Sequence, residues 1–372
     1  MLRNSCDSTT YVLQFSVAYY AERKIRSEIL NFGKRAGRFL TVGCFMLFTL
    51  ICTTSCEFFT SKMNEIDIFA MDTFMSIKAK GVDDELLADV EGEITRLDSL
   101  FSVTRPDSDI AKLNAEGKVE ADADTVELIE LAKNMCKTTN GALDISVYPV
   151  VSLWGFTNGN YRVPESSEID KTLRLVDYAQ IKIDGNIVQL DEGMELDLGA
   201  VAKGYTSDKI CELLRENGVT SAVINLGGNV QTIGKRPDGK KWRVAVKNPF
   251  ETDKNLLVVE IEDTAVITSG NYERYFEADG KRYCHIIDSK TGYPADNGIV
   301  SMTVIGKNGF ECDALSTALF VMRPEKAIEF WKTLDDIEMI YVTDEEKIYI
   351  TEGISSYCTN TSGLSIEVIG RD

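Results

Sequence analysis

One histidine stands in the 372 residues, in the run Cys284-His285-Ile286-Ile287-Asp288-Ser289-Lys290-Thr291-Gly292-Tyr293-Pro294. Imidazole is the side chain whose ordinary pKa lets it give or take a proton near neutrality. If the protein moves protons through imidazole, it does so at His285. A hydrogen-bonded, inert histidine closing a strand would read the same, so other segments have to decide. Two of them carry suitable chemistry. In Glu195-Leu196-Asp197-Leu198-Gly199-Ala200-Val201-Ala202-Lys203-Gly204-Tyr205, glycines lead into a helix. Free backbone N–H groups at that helix start would make an anion seat, which Lys203 could reinforce. In Cys312-Asp313-Ala314-Leu315-Ser316-Thr317, Asp313 and Thr317 are one helical turn apart. A carboxylate and a hydroxyl on one face suit Mg²⁺ or Ca²⁺ rather than zinc. Asp313 favoured by the helix dipole beside a buried Thr317 would give the same pattern.

The elements that must position these groups follow from periodicity. Ile66 to Ala79 alternates as one strand with Met71-Asp72-Thr73 in its middle. Leu86, Leu87, Val90, Ile94, Leu97 and Phe101 recur at helical spacing over 83–101. Ser108 is placed to cap a short helix, and Asp124 a longer one that Thr139-Asn140-Gly141 ends. Gly141-Ala142-Leu143-Asp144 and Trp154-Gly155-Phe156 then bring glycine backbone close to something flat or polar. Short strands are expected near 181–183 and 187–190, and a helix from the Gly204 region to Asn217-Gly218. A strand and turn over Ala222–Asn229, a strand over 299–305, a helix over 325–334 and strands near 339–342 and 347–351 complete the reading. The glycine patterns match neither a dinucleotide fingerprint nor a P-loop.

Composition excludes further classes. The chain is 44% hydrophobic and 27% charged, a globular balance. Residues 1–56 carry 7 Lys/Arg against 3 Asp/Glu, net +4, so of the total −19 the remainder holds −23. A body so acidic is no partner for nucleic acid, and a polyanionic ligand would need a local cation to be held against that field. Lys34, Arg35 and Arg38 precede an apolar run from Phe39 to Cys52 and then Thr53-Thr54-Ser55-Cys56. That is the pattern of a lipoprotein-like signal with Cys56 as the lipidated residue, or of an uncleaved anchor. Either puts the body outside the cytoplasm, behind a tether over 57–64. Residues 1–33 make an overlong leader. Cys136, Cys211, Cys284, Cys312 and Cys358 are odd in number and scattered, which points to buried thiols rather than disulfides. With one histidine, a zinc site built on imidazoles is excluded.

Taken in order, Met71-Asp72-Thr73, Asp98–Ser102, Asp107-Ser108 to Leu113-Asn114, Thr139–Asp144, Trp154-Gly155-Phe156, Asp197–Lys203, Asn225–Asn229, His285–Pro294 and Asp313–Thr317 resemble the ApbE family of FAD:protein FMN transferases over about 65–355. The resemblance implies a single α+β domain of mixed, mainly antiparallel sheet with packed helices and an extended FAD cleft, followed by a tail over 356–372. It implies that Met71, Ala142, Leu143 and Asp144 line the cleft, that Asp197 and Lys203 contact FAD, and that Ile287 touches it. The Ala200 carbonyl, Asp313 and Thr317 would bind Mg²⁺, and His285 would be the base. Three positions depart from the family: Asp72 stands where glycine is common, Thr104 where an aromatic often stacks on flavin, and Ser289 where proline is usual. The implied reaction moves FMN from FAD to a Thr or Ser hydroxyl of an acceptor protein, with AMP leaving. An FAD pyrophosphatase would need the same residues, and a flavin-binding lipoprotein without catalysis stays open beside it.

Overall fold

The computed structural model describes residues 63–372. Nine strands form the main sheet: β1 (Met63–Ala70), β2 (Thr73–Lys80), β3 (Ala222–Leu226), β4 (Asn229–Ile233), β5 (Ala265–Gly270), β6 (Ile299–Gly306), β7 (Glu338–Thr343), β8 (Ile348–Thr351) and β9 (Ile366–Ile369). Their order across the sheet is their order along the chain. Every neighbouring pair is antiparallel except β8 and β9, which run parallel. Helices α1 (Asp84–Phe101), α2 (Asp109–Glu116), α3 (Ala123–Thr138), α4 (Tyr148–Leu153), α5 (Ser166–Leu173), α6 (Ala202–Glu216), α7 (Gly309–Val321) and α8 (Pro324–Trp331) complete the main elements. This is the expected α+β class with a mainly antiparallel sheet.

Burial grades across the sheet. Val90 and Ile94 of α1 and Ile210 and Leu214 of α6 cover Ile77 and Ile224 on one face of the β1–β3 end. The other face there stays open, and β1 and β2 alternate accordingly, with Phe69 and Phe74 outward. Farther along, α7 and α8 cover one face of β6 and β7. A small sheet of Trp242–Lys247, Asn255–Ile261 and Cys358–Asn360 covers the other. Covered on both sides, β6 is buried at every residue, the continuous pattern a strand in the middle of a sandwich needs. Helix α7 is buried nearly all round for the same reason.

Several expectations need correction. Residues 66–79 are not one strand but a hairpin, turned at Met71 and Asp72 with φ of 48° and 58°. Two positive φ values make the tight turn that matches strand twist, usually written Asn-Gly. Alternation continues through it, so the sequence hides the reversal. The α3 cap is Asp122, whose carboxylate accepts the Asp124 N–H, rather than Asp124. Residues 356–372 are not a tail: Cys358–Asn360 pairs with the Asn255–Ile261 strand, and β9 closes the edge of β8. The β9 residues are mostly exposed, which is why they lack a core signature. Met63 and Asn64, placed in the tether, begin β1. The signal-like run, Cys56 and the rest of the tether lie outside the described residues. Among the described residues no helix is long and apolar enough to cross a membrane, and the five cysteines are free thiols.

Candidate functional site

Helices α6 and α7 cross with their main chains almost in contact. A Cβ on Gly204 would lie 2.3 Å from the Gly309 carbonyl oxygen and 2.6 Å from the Asp313 Cβ, and one on Gly309 would lie 2.7 Å from the Gly204 carbonyl oxygen. Only glycines allow this approach. Asp208, one turn beyond Gly204, fixes the crossing by accepting the Gly309 and Phe310 N–H groups at 2.8 Å each, which caps α7. The crossing brings Asp313 to the start of α6, where its Oδ2 accepts the Gly204 N–H at 2.8 Å.

That bond diverts the Gly204 N–H from the Ala200 carbonyl, its partner in a regular helix. Among the described residues the Ala200 carbonyl accepts no other hydrogen bond. Asp313 is buried, and burial pushes its carboxyl pKa up, while Lys203 pulls it down. The Asn229 amide faces the same carboxylate but its nitrogen reaches no hydrogen-bond partner. Thr317, one turn along α7, shares a 3.2 Å hydrogen bond with Ser269. A free carbonyl, the second Asp313 oxygen and a hydroxyl are all hard oxygen donors, the chemistry that fits a divalent cation such as Mg²⁺. No group of three His, Cys, Asp or Glu side chains suited to a metal occurs among the described residues, so the carbonyl and hydroxyl are needed to complete a site.

The segment before α6 supplies the next group. Asp197 accepts the Gly199 N–H at 2.7 Å, and Lys203 donates to the Gly199 carbonyl at 3.4 Å. Asp197 opens to solvent at one edge yet is ringed by protein. Burial raises its pKa, against the pull of Arg274 and Lys203. Its own N–H donates to the Ile145 carbonyl at 2.9 Å. This ties the Ala142-Leu143-Asp144 segment to it, with Asp144 turned back to accept from Ser146 N–H and hydroxyl at 2.9 and 2.6 Å. Met71 joins through its N–H, which donates to Asp98 at 3.0 Å, and packs with Ala142, Leu143 and Ala200 on one core.

His285 is presented by a hairpin, Tyr275–Ala278 against Lys281–Cys284, turned at Asp279-Gly280. Its register sets Arg274 opposite His285. The Arg274 carbonyl accepts the His285 main-chain N–H at 3.0 Å and lies 3.1 Å from the imidazole Nδ1. A carbonyl only accepts, so Nδ1 carries the proton and Nε2 keeps a lone pair. Burial first, then Arg274 and Lys203, push the imidazole pKa down to about 4, so it is neutral at pH 7. Asp288 does not touch it: its carboxylate accepts the Lys290 N–H at 2.9 Å, a turn-forming role. Ser289, where the family often has proline, donates to the Gly141 carbonyl at 2.7 Å and links the loop to the Asp144 segment. Trp154 donates to the Gly292 carbonyl at 2.8 Å, and buried Ile287 packs with Trp154 and Phe156. Lys203 thus acts on Asp197, His285 and Asp313 together. Thr104 is exposed on the loop after α1.

Asp208 and Arg274 were not among the sequence candidates. The spacing Gly204 to Asp208 held a signal for the first, and the Asp-Gly turn with its hairpin register for the second.

An α+β sheet protein in which one lysine acts on an imidazole and two carboxylates together has the makings of an enzyme acting on an anionic substrate. The ApbE family model matches residues 71–341, and the chain belongs to the ApbE family. It is 35% identical over 282 residues to the FAD:protein FMN transferase of Klebsiella pneumoniae (strain 342), covering 74% of this chain and 87% of that one. It is 34% identical over 275 residues to that of Treponema pallidum (strain Nichols), covering 68% and 76%. The crystal structure of the ApbE protein from Thermotoga maritima superposes with a TM-score of 0.74 at 31% identity, over 80% of this chain and 99% of that one.

Proposed function

We propose that this protein is an FAD:protein FMN transferase, moving the FMN moiety of FAD to a Thr or Ser hydroxyl of an acceptor protein with release of AMP. The reading is carried by one observation: a neutral imidazole with its Nε2 lone pair free, under the influence of the same Lys203 that acts on Asp197 and Asp313. The relatives named for this activity support it. His285 Nε2 takes the proton of the acceptor hydroxyl as its oxygen attacks the FMN phosphorus and the bond to AMP breaks. Met71, Ala142, Leu143, Asp144 and Ile287 line the FAD cleft, and Asp197 and Lys203 contact FAD. The Ala200 carbonyl, Asp313 and Thr317 would hold Mg²⁺, which would supply charge neutralisation on the diphosphate. Lys203 adds a fixed cation, which the acidic body otherwise denies a dianion. The same reading puts the protein on the extracytoplasmic face of a bacterial membrane through lipidated Cys56, and Cys56→Ser should release it from the membrane fraction.

The test incubates the protein with FAD, Mg²⁺ and a peptide bearing one candidate Thr. FMN covalently on the peptide with equimolar AMP is the expected result. Free FMN alone would make the protein a pyrophosphatase, and retained FAD without AMP a binding protein.

A further inference from the structure

Arg274 performs two tasks with two parts of one residue. Its carbonyl holds the His285 imidazole at 3.1 Å, as described. Its guanidinium donates to the Phe156 carbonyl at 2.9 Å, and the Phe156 ring packs edge-on against the His285 ring at 6.4 Å between centroids. Guanidinium and imidazole therefore rest on the same residue. One guanidinium donor is engaged there and the others remain for a ligand. Arg96, Arg105, Arg162, Arg215, Arg236 and Arg282 each pair with a carboxylate; among the described residues Arg274 has no carboxylate in ion-pair contact, and unlike Arg174, Arg243, Arg323 and Arg371, which also have none, it stands beside the lone imidazole. In a body of net −23, an arginine beside the imidazole without an acid partner is available to an anion, and its planar fork matches phosphate oxygens.

We propose that the Arg274 guanidinium clamps a phosphate group of the substrate beside His285, and that anion binding there makes the imidazole a stronger base. The inference rests on the flavin-transfer reading and adds a substrate-contacting residue to it. The charged groups acting on His285 are Arg274 and Lys203, and Asp197 feels both of these cations. In the free protein these two cations, with burial, disfavour imidazolium. A phosphate bound between them offsets both charges, so the imidazole gains proton affinity when the substrate arrives.

The lone histidine makes this measurable without assignment. The full chain, prepared with a histidine-free tag and kept in chelator, is titrated by NMR on the imidazole signals with and without ADP. Inorganic pyrophosphate is the second probe. In the parent, ADP should raise the imidazole midpoint by about one pH unit. Arg274→Gln should raise the midpoint of the free protein, weaken ADP binding about 10- to 100-fold and remove most of the ADP-induced rise. Arg274→Lys keeps the charge and loses the fork, so its free midpoint should stay near the parent's while ADP affinity falls. Because it retains a donor for the Phe156 carbonyl, this variant also controls for folding. If Arg274→Gln binds ADP as tightly as the parent, or if ADP leaves the parent midpoint unmoved, the proposal fails. Failure of FMN transfer in the parent would overturn the functional reading instead, and would leave this titration as informative as before.

Discussion

Where α6 crosses α7, two glycines put main chain against main chain, and buried Asp313 and half-buried Asp208 are held by backbone N–H groups. The His285 hairpin, by contrast, holds its key group by one carbonyl, where Arg274 and Lys290 reach solvent. The first wall has little slack: a Cβ on Gly204 or Gly309 would run into the other helix's main chain. The second can lose a side chain and keep its shape. A cation site needs oxygens fixed in advance, whereas a base that meets an incoming protein hydroxyl has to stand at an accessible edge. Substitutions should therefore act on folding and chemistry together at the crossing, and on chemistry alone at the hairpin.

The contrast is sharpest at His285 and Asp313. His285→Ala should leave the thermal unfolding midpoint near the parent's and slow FMN transfer by about 10²- to 10⁴-fold; an unchanged transfer rate would remove the imidazole from the mechanism. Asp313→Ala should cost about 100-fold or more in transfer, flatten the Mg²⁺ dependence and also lower stability, since the Gly204 N–H loses its acceptor. A variant whose Mg²⁺ titration overlays the parent's would show that the metal binds elsewhere. Next in size, Gly204→Ala should destabilise by about 3 kcal/mol in urea unfolding, because helix main chains must part. Gly92→Ala on α1, where a Cβ meets nothing within 4 Å, should stabilise by about 0.5–1 kcal/mol. Equal effects at the two glycines would deny the tight crossing.

Acidity separates the walls by sign. The imidazole pKa is depressed to about 4, so Nε2 keeps its lone pair above that pH and loses it below. The acid limb of kcat/KM for FAD, which reports the free enzyme, should then fall near pH 4; a limb centred at the ordinary histidine value of about 6.5 would mean an imidazole in open solvent. The Asp313 carboxyl is raised by burial, and acid that protonates it weakens cation binding. The smallest effect belongs to Asp288→Ala. It should cost about 0.5–1 kcal/mol through the lost Lys290 turn bond, with transfer within about twofold of the parent. A loss rivalling that of His285→Ala would mean that Asp288 orients the imidazole after all.

The sequence made the helix crossing more legible than the hairpin. Asp313 and Thr317 sit one turn apart in a strongly apolar run, and the Gly-Ala-Val-Ala-Lys-Gly stretch announces a helix start, so period and glycine alone point to both. Their meeting was not legible, because Gly204 and Gly309 are 105 positions apart and each reads as a small residue in a helix. At the hairpin, His285 stood out by being unique, but its partner did not. A backbone carbonyl carries no sequence signal, and Asp288, with a visible carboxylate, drew attention that Arg274 merited. The Met71-Asp72 turn was missed because left-handed backbone at Met and Asp is held by the Asp98 carboxylate, a contact 27 residues away, and not by turn residues. The strands near 358–360 and 366–369 were missed because an exposed edge needs no apolar period.

The main sheet also bears on how the chain reaches this form. Because each strand lies beside the one before it in the chain, the sheet can be laid down in the order of synthesis, with no strand waiting for a later one to be inserted between earlier pairs. The long stretch between β2 and β3 carries α1 to α6 and delays only one pairing. The last strand, β9, is the exception in direction and comes at the very end, so until it docks the edge of β8 stays open to other chains. A ribosome-stalled or truncated product ending near 355 would thus keep Lys203, His285 and Asp313 and have an unguarded sheet edge, a form expected to self-associate.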